Sequence, residues 1–339
     1  MGKKHAFPVV RWNRFIAAGA LALAVGTANA VESTTEIFVS RAAVITGNPG
    51  TGPKISYLSV PVVRPVLYSG IVTALGSGSL TDANASWTQG QFNGANGPHY
   101  VEFDSGVMAD ILQTQSSTDT LVHAGNLSGL VNVGERFRVR RHLTLPDIFG
   151  PNNEAGLQAG PNENLADNVL IQDPQTRATM TYFYYATDWY DTTYASVANM
   201  PIYPEQGLMI RRRATGNLVV YVNGNAREGE TRVPVYPGYN LVGTLKGSKN
   251  MMLSELGLYT GNPATGLQGG LNTSAADTLL VVRPDSSTIT YFYLTSSGNE
   301  GWHDVNYANA DTTTIPAGSA FFVNRKSASG LFHWYIPAE

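Results

Sequence analysis

The segment ADNVLIQDPQTRATMTYFYYATDW at residues 166–189 recurs as ADTLLVVRPDSSTITYFYLTSSGNEGW at residues 276–302. The two copies share an aspartate, a hydrophobic run, a Tyr-Phe-Tyr triplet and a tryptophan in the same order. The match continues downstream through three pairs of identical residues: Pro204 and Pro316, Arg212 and Arg325, and Gly216 and Gly330. Because the spacing drifts little along the match, we predict a duplicated module with length changes in its loops.

Both copies alternate β-branched or aromatic residues with polar ones, and turn residues separate these runs. Such alternation predicts strands, and short strands at similar spacing also fill residues 55–141. Strands without long helical segments between them are typical of antiparallel sheets. The predicted fold is therefore all-β, with an N-terminal small β-sandwich or barrel followed by two homologous antiparallel β-sandwich modules.

These patterns divide the chain into five predicted parts. Residues 137–140 match residues 239–242 loosely, which places the start of the first module near residue 131. The parts are a signal peptide at 1–30, an N-terminal strand and linker at 31–54, an N-terminal β domain at 55–130, and β repeat modules at 131–228 and 229–339.

The N-terminus has the three regions of an export signal. Four basic residues precede or flank an apolar run at residues 15–25, and Ala28 and Ala30 form an A-x-A cleavage site. The apolar run is shorter than the roughly 20 residues that span a bilayer, so we predict cleavage and no membrane span afterwards. The predicted location is outside the cytoplasm: the cell surface, the extracellular space or the periplasm.

Charge and composition narrow the choice of partners. Without residues 1–30 the count of Lys and Arg falls from 22 to 18 against 25 Asp and Glu, a formal charge of −7. Mild acidity argues against nucleic acid and anionic membranes as partners. The chain has no cysteine, so we expect burial of apolar side chains, not disulfides, to stabilise it.

The sequence predicts no catalytic residues and no metal site. The six histidines lack zinc-ligand spacing, and no G-x-S-x-G nucleophile motif is present. Glu102 and Asp104 share a strand face, but nothing around them supports glycosidic chemistry. We predict that the chain is not an enzyme and needs no cofactor. Calcium bound by Asp and Asn side chains in loops is an alternative without a supporting motif.

Aromatic residues are the candidate ligand-binding feature of both modules. Exposed flat rings suit the faces of sugars or a protein partner. A duplicated core would show the same repeated aromatics, and this second interpretation is favoured. The candidate ligand-binding residues are Trp189, Trp302, Tyr182, Tyr184, Tyr291 and Tyr293.

Arginine clusters at two predicted strand ends are candidate interface residues in an otherwise acidic chain. They could pair with acidic loops of the same or a neighbouring molecule. Solvated charges that protect a strand edge from further pairing explain them equally well. The residues are Arg211, Arg213, Arg138 and Arg140.

Several segments resemble an uncharacterised family of exported, repeat-containing β-rich proteins of verrucomicrobial bacteria. They are WTQGQF at 87–92, YVEFDSG at 100–106, FG at 149–150, ADNVLI at 166–171 and YPEQGLMIRRR at 203–213. This resemblance implies secretion and large sets of paralogues, but no known activity. The segments GYNLVGT at 238–244 and PAGSAFFV at 316–323 also resemble paired strands of cell-surface β-modules.

The sequence thus predicts a secreted or cell-surface, non-enzymatic β-protein, a structural or interaction module of the bacterial envelope. Its expected partners are itself or other envelope components. The alternative is a carbohydrate-binding protein that holds polysaccharide on the aromatic loops of the two repeats.

Overall fold

The computed structural model describes residues 36–93, 97–114, 119–173, 176–227, 229–244, 249–283, 287–326 and 330–336. Strands make up 46% of the chain and helices 3%, which confirms the predicted all-β fold. The predicted signal peptide lies outside these residues. Within them, no helix has the length and apolar character needed to cross a membrane.

The strands before residue 142 are β1 (Phe38–Ile45), β2 (Lys54–Ser59), β3 (Val66–Ile71), β4 (Ala74–Gly76), β5 (Ser79–Thr81), β6 (His99–Phe103), β7 (Met108–Thr114), β8 (Thr120–His123) and β9 (Arg136–Arg141). The next elements are α1 (Leu145–Phe149), β10 (Asn168–Gln172), β11 (Thr179–Tyr185), β12 (Asp188–Asp191), β13 (Gly207–Arg212) and β14 (Leu218–Asn225). The last are β15 (Thr231–Val235), β16 (Gly238–Gly243), β17 (Met251–Met252), a 3-10 turn (Leu253–Glu255), β18 (Thr278–Val282), β19 (Thr288–Leu294), β20 (Gly301–Asp304), β21 (Thr314–Ile315), β22 (Ala320–Arg325) and β23 (Phe332–Ile336).

Two five-stranded antiparallel sheets have the same strand order. The first runs β12-β11-β10-β13-β2 and the second β20-β19-β18-β22-β16. Each sheet is accompanied by a two-stranded ribbon, β1 with β14 in the first case and β15 with β23 in the second. We call the first sheet with its ribbon repeat 1 and the second sheet with its ribbon repeat 2.

In each repeat the ribbon packs on the sheet to form a small sandwich. Alternate residues point to opposite faces of a strand, so one face of each ribbon is apolar and buried. In repeat 1, Val220 and Val222 of the ribbon join Val169 and Ile210 of the sheet in one core. The core of repeat 2 is built in the same way and includes Trp334 of its ribbon.

A third sheet is inserted between the strands of repeat 1. Its seven strands run β3-β9-β6-β7-β8-β5-β4 and enclose a separate core around Leu80, Val101 and Phe137. We call it the inserted sheet. Because it follows β2 and ends with β9, the chain leaves repeat 1 after Ser59 and returns near Leu143.

This topology shifts the predicted boundaries. Residues 31–54 were predicted as a strand and linker and residues 55–130 as a separate domain, but β1 and β2 both pair within repeat 1. Strand β9, predicted to open the first module, pairs with β3 and β6 of the inserted sheet. The counterpart of residues 239–242 in β16 is therefore β2, not residues 137–140.

Both repeats have a buried ion pair at the end of equivalent strands, β13 in repeat 1 and β22 in repeat 2. Arg212 Nη1 lies 2.8 Å from Asp167 Oδ2, and the other carboxylate oxygen accepts the Arg213 backbone N–H at 2.6 Å. In repeat 2, Asp277 accepts the Lys326 backbone N–H at 2.7 Å, and Arg325 lies 3.9 Å from it. Identical residues in the two sequence copies thus hold the same strand end.

The repeats contact each other through equivalent edge strands, β2 and β16. Ser59 Oγ donates to the Thr244 carbonyl at 2.7 Å, and the Gly243 N–H donates to the Glu205 carbonyl at 2.9 Å. A Cβ at Gly243 would lie 2.6 Å from Ser59 Oγ, so this approach requires glycine. Residues Glu36–Glu339 form one compact unit as a result.

Two backbone pairings, one before β13 and one before β22, correct the sequence match between Pro204 and Pro316. Ile202 pairs with Leu143 as Ile315 pairs with Met251. Counting forward from Ile202 and Ile315 aligns Tyr203 with Pro316 and Glu205 with Gly318. The sequence match of Pro204 with Pro316 is therefore shifted by one residue.

Candidate functional site

The aromatic residues predicted to bind a ligand lie in or against the cores. Trp189 and Trp302 are 1% and 3% exposed, and Tyr182, Tyr184 and Tyr291 are also buried. Tyr293 is half-buried and its ring stacks on Tyr259 with centroids 3.6 Å apart. These six rings therefore form no exposed surface that stacks on sugars, but Tyr182 also lines the cleft between the sheets that is described below.

The four candidate interface arginines do not form a common surface. Arg140 is buried and bonded to Glu102 and Glu36, so it is removed from the set of interface residues. Arg138 is bonded to Asp104 at 2.8 Å, and Arg213 donates to the Ala166 carbonyl.

Arg211, the fourth candidate, is half-buried in β13.

The acidic residues of the loops support turns. Asp191 Oδ1 accepts the backbone N–H groups of Thr193 and Ala195, and Asp304 Oδ1 accepts those of Asn306 and Ala308. Among the described residues, no group of three or more metal-binding side chains is arranged to hold an ion.

One apolar surface lies on the ribbon of repeat 1. The outward residues of β1 and β14 are Phe38, Ser40, Ala42, Val44, Val219, Tyr221 and Asn223, and we call this surface the ribbon face. Phe38, Val44 and Tyr221 are 68%, 61% and 62% exposed. Exposed apolar groups that adjoin on regular strands are typical of interaction surfaces.

In repeat 2 the equivalent face points at the inserted sheet. Arg232 and His333 project from the outer side of its ribbon into a cleft, and the Arg232 N–H donates to the Gly106 carbonyl at 3.3 Å. A Cβ at Gly106 would lie 2.7 Å from the Glu230 carbonyl oxygen, so the two backbones are in close contact. The ribbon face of repeat 1 has no such cover among the described residues.

The cleft lies where the inserted sheet, repeat 1 and repeat 2 meet. Its volume is about 730 Å³, within the range of small-molecule sites. The inserted sheet contributes Asp110, repeat 1 contributes Tyr203 and Glu205, and repeat 2 contributes Arg232. We call it the junction cleft.

Asp110 is the centre of a hydrogen-bonded group in the junction cleft. His142 Nε2 lies 2.9 Å from its Oδ1, and the Tyr203 hydroxyl donates to its Oδ2 at 2.5 Å. Burial alone would raise the pKa of Asp110, but the bonds from His142 and Tyr203 outweigh it and lower this pKa. Burial and the nearby Asp110 charge raise the pKa of Tyr203.

Glu205 lies two residues after Tyr203, in the turn that leads into β13. Burial raises the pKa of its carboxyl, and the positive charge of Arg227 offsets this only in part. Its Oε2 has no contact with solvent and no hydrogen-bond partner among the described residues. Glu205 therefore favours the protonated form more than an exposed glutamate does.

Other buried polar atoms of the cleft residues also lack hydrogen-bond partners in the described part of the chain. They are Tyr100 Oη, His142 Nδ1 and Arg232 Nε. The Tyr100 and His142 rings lie 4.5 Å apart, and the His142 and Tyr203 rings 4.9 Å apart. Buried polar atoms in proteins are usually bonded to other protein groups or to ordered water, so these atoms are candidates for contact with water or a ligand.

Sequence patterns did not identify the junction cleft. Its polar residues come from distant parts of the chain and form no short motif. One signal is the turn at residues 203–206, where Tyr203 and Glu205 stand in place of Pro316 and Gly318 of repeat 2.

No protein-family model, curated protein or solved structure matches this chain. The resemblance to exported verrucomicrobial proteins therefore stays a prediction from the quoted segments.

Proposed function

We propose that the chain is a non-enzymatic, secreted or cell-surface β-protein that serves as a structural or interaction module of the bacterial envelope. In this proposal it binds a second copy of itself through the ribbon face. Export is supported by the basic and apolar pattern of residues 1–30. The single observation that carries self-association is the exposure of Phe38, Val44 and Tyr221 on paired, regular strands.

The chemistry of the ribbon face favours a second copy as its partner. None of its residues is charged, whereas the secreted chain has an expected formal charge of −7. Two acidic molecules repel each other least where neither presents a charge. Two equivalent ribbons can also pack around a two-fold axis, which gives a closed dimer with the same surface on both sides.

The small size of the face sets the expected affinity. A standard interface covers about 800 Å² on each partner, which is more than one short two-stranded ribbon offers. We therefore expect a weak, reversible dimer that grows in population with protein concentration.

Light scattering and sedimentation velocity of residues 31–339 over a concentration series test this proposal. Self-association should be lost in Tyr221→Lys, because an unpaired ammonium group would be buried in the interface. Tyr185→Lys is the matched control, since Tyr185 is 41% exposed on a strand of repeat 1 outside the ribbon face. A chain that stays monomeric throughout, or one that loses association equally in both variants, would refute the proposal.

A further inference from the structure

The polar groups of the junction cleft are not required by the repeat fold. Tyr203 and Glu205 occupy a turn whose counterpart in repeat 2 has Pro316 and Gly318 at the same positions. Both turns close with the same backbone bond, Gln206 N–H to the Tyr203 carbonyl at 3.0 Å and Ser319 N–H to the Pro316 carbonyl at 3.2 Å. The turn therefore forms without polar side chains at these positions, and Tyr203 and Glu205 must have a role other than forming the turn.

The charged groups Asp110 and Arg232 of the cleft already have partners within the protein. Asp110 is bonded to His142, and Arg232 Nε lies 3.7 Å from a carboxylate oxygen of Glu230. The raised pKa of Glu205 favours its neutral form. Transfer of an ion into such a site is costly unless an opposite charge is free to pair with it, so the cleft suits an uncharged ligand.

The atoms without partners include both donors and acceptors. Arg232 Nε donates, and Tyr100 Oη both donates and accepts. In the tautomer that donates from Nε2 to Asp110, His142 Nδ1 is an acceptor. Hydroxyl groups, which donate and accept at one atom, fit such a mixed set better than carbonyl or amine groups do.

The walls of the cleft and its volume agree with a compact, ring-shaped ligand. Leu130, Met180 and Met200 supply apolar surface beside the polar groups. Sugars present aliphatic C–H faces together with hydroxyl edges, and about 730 Å³ holds one or two such rings. We infer that the junction cleft binds a small, uncharged, polyhydroxylated ligand of the size of a mono- or disaccharide.

This inference is independent of the ribbon face. Tyr221→Lys should leave ligand binding unchanged, so failure of self-association does not affect it. The junction cleft also differs from the predicted carbohydrate site on Trp189 and Trp302, because those rings are buried, and of the six predicted residues Tyr182 lines the cleft.

Saturation-transfer NMR of residues 31–339 tests the inference with glucose, galactose, mannose, rhamnose, N-acetylglucosamine and maltose as probes. At least one probe should show transfer. Tyr100→Phe should weaken its binding by about five-fold, the value of one hydrogen bond, because the Tyr100 hydroxyl lines the cleft and has no hydrogen-bond partner in the described part of the chain. Tyr194→Phe is the matched control, because that hydroxyl donates to the Pro161 carbonyl in an exposed loop outside the cleft.

A second variant keeps the test decisive if Tyr100→Phe disturbs folding. Leu130 is 40% exposed at the cleft, so Leu130→Trp adds bulk there without changing the polar groups and should abolish transfer. The absence of transfer from all six sugars would mean that water alone satisfies the buried atoms and would overturn the inference. Transfer that persists unchanged in both cleft variants would place the sugar elsewhere and overturn it too.

Discussion

At the scale of single residues, the buried pair of Asp167 and Arg212 is the strongest candidate for a stabilising contact in repeat 1. Removing one member of a buried ion pair leaves the other charge without compensation, which typically costs about 3–5 kcal/mol. We expect Asp167→Ala to lower the free energy of unfolding by that amount in denaturant titrations.

The control for this prediction is Asp104→Ala. Asp104 is exposed and bonded to Arg138, and exposed ion pairs contribute about 0–1 kcal/mol. If both variants lost the same free energy of unfolding, the buried Asp167 pair would contribute no more to stability than the exposed Asp104 pair.

Glu205 gives a prediction on pH. Its pKa in the folded chain is raised above the ordinary value of 4.5, so folding favours the protonated form. As pH rises from the unfolded pKa through the folded pKa, the unfolded chain binds fewer protons and the free energy of unfolding falls. Glu205→Gln removes this loss and should stabilise the chain near neutral pH but not below about pH 4.5.

Thermal unfolding of the Glu205→Gln variant and of the unchanged chain at pH 4.5 and at neutral pH tests the predicted direction. Glu300→Gln, at an exposed glutamate, is the control. A constant difference between the Glu205 variant and the unchanged chain at all pH values would contradict it. A buried acid that destabilises the fold at neutral pH is typical of positions kept for function. Stabilisation together with weaker sugar binding would therefore fit the junction cleft.

At the scale of elements, β1 is a structural part of repeat 1. It pairs with β14 over eight residues, and Val39, Ala43 and Ile45 contact the core. Deleting residues 31–46 should therefore lower the free energy of unfolding by more than about 2 kcal/mol, the value of one fully buried aliphatic side chain. Denaturant titration measures this loss.

The control for this deletion is a chain that begins at residue 36 and keeps β1. Its free energy of unfolding should equal that of the chain of residues 31–339. If residues 31–54 were a strand and linker outside the repeat, as the sequence pattern predicted, both truncated chains would be equally stable.

The sequence identified strands better than it identified their partners. The alternation in residues 54–59 indicates a strand, but the choice between β3 and β13 as its neighbour depends on which apolar faces meet. Strand β9 is the last strand of the inserted sheet in the sequence, and its pairing with β3 and β6 shows that it belongs there. Local periodicity has no information on an insertion that separates two strands of one sheet.

At the scale of the whole molecule, hydrogen bonds link the three sheets. Arg140 of the inserted sheet bonds to Glu36, which accepts from Asn225 of repeat 1. The Tyr203–Asp110 bond joins repeat 1 to the inserted sheet, and Ser59 joins the two repeats. We expect a single cooperative unfolding transition of residues 31–339, because no sheet can unfold without breaking buried contacts of another.

Differential scanning calorimetry measures this cooperativity. The calorimetric and van't Hoff enthalpies should agree, and Asp167→Ala in repeat 1 should lower the midpoint of the entire transition. Two or three separate transitions, with only one of them moved by Asp167→Ala, would contradict the prediction.

The sequence by itself determined the all-β class, and its two similar segments lie in two sheets of the same strand order. These properties follow from side-chain periodicity and from residue identity, both of which are local. The tertiary structure decided that repeat 1 begins at β1, that another sheet interrupts it, and that the ribbon face stays open in one repeat and faces a cleft in the other. It also brought Asp110, His142 and Tyr203 together, because strand pairing over long separations depends on the burial of complementary faces, which no short stretch of sequence records.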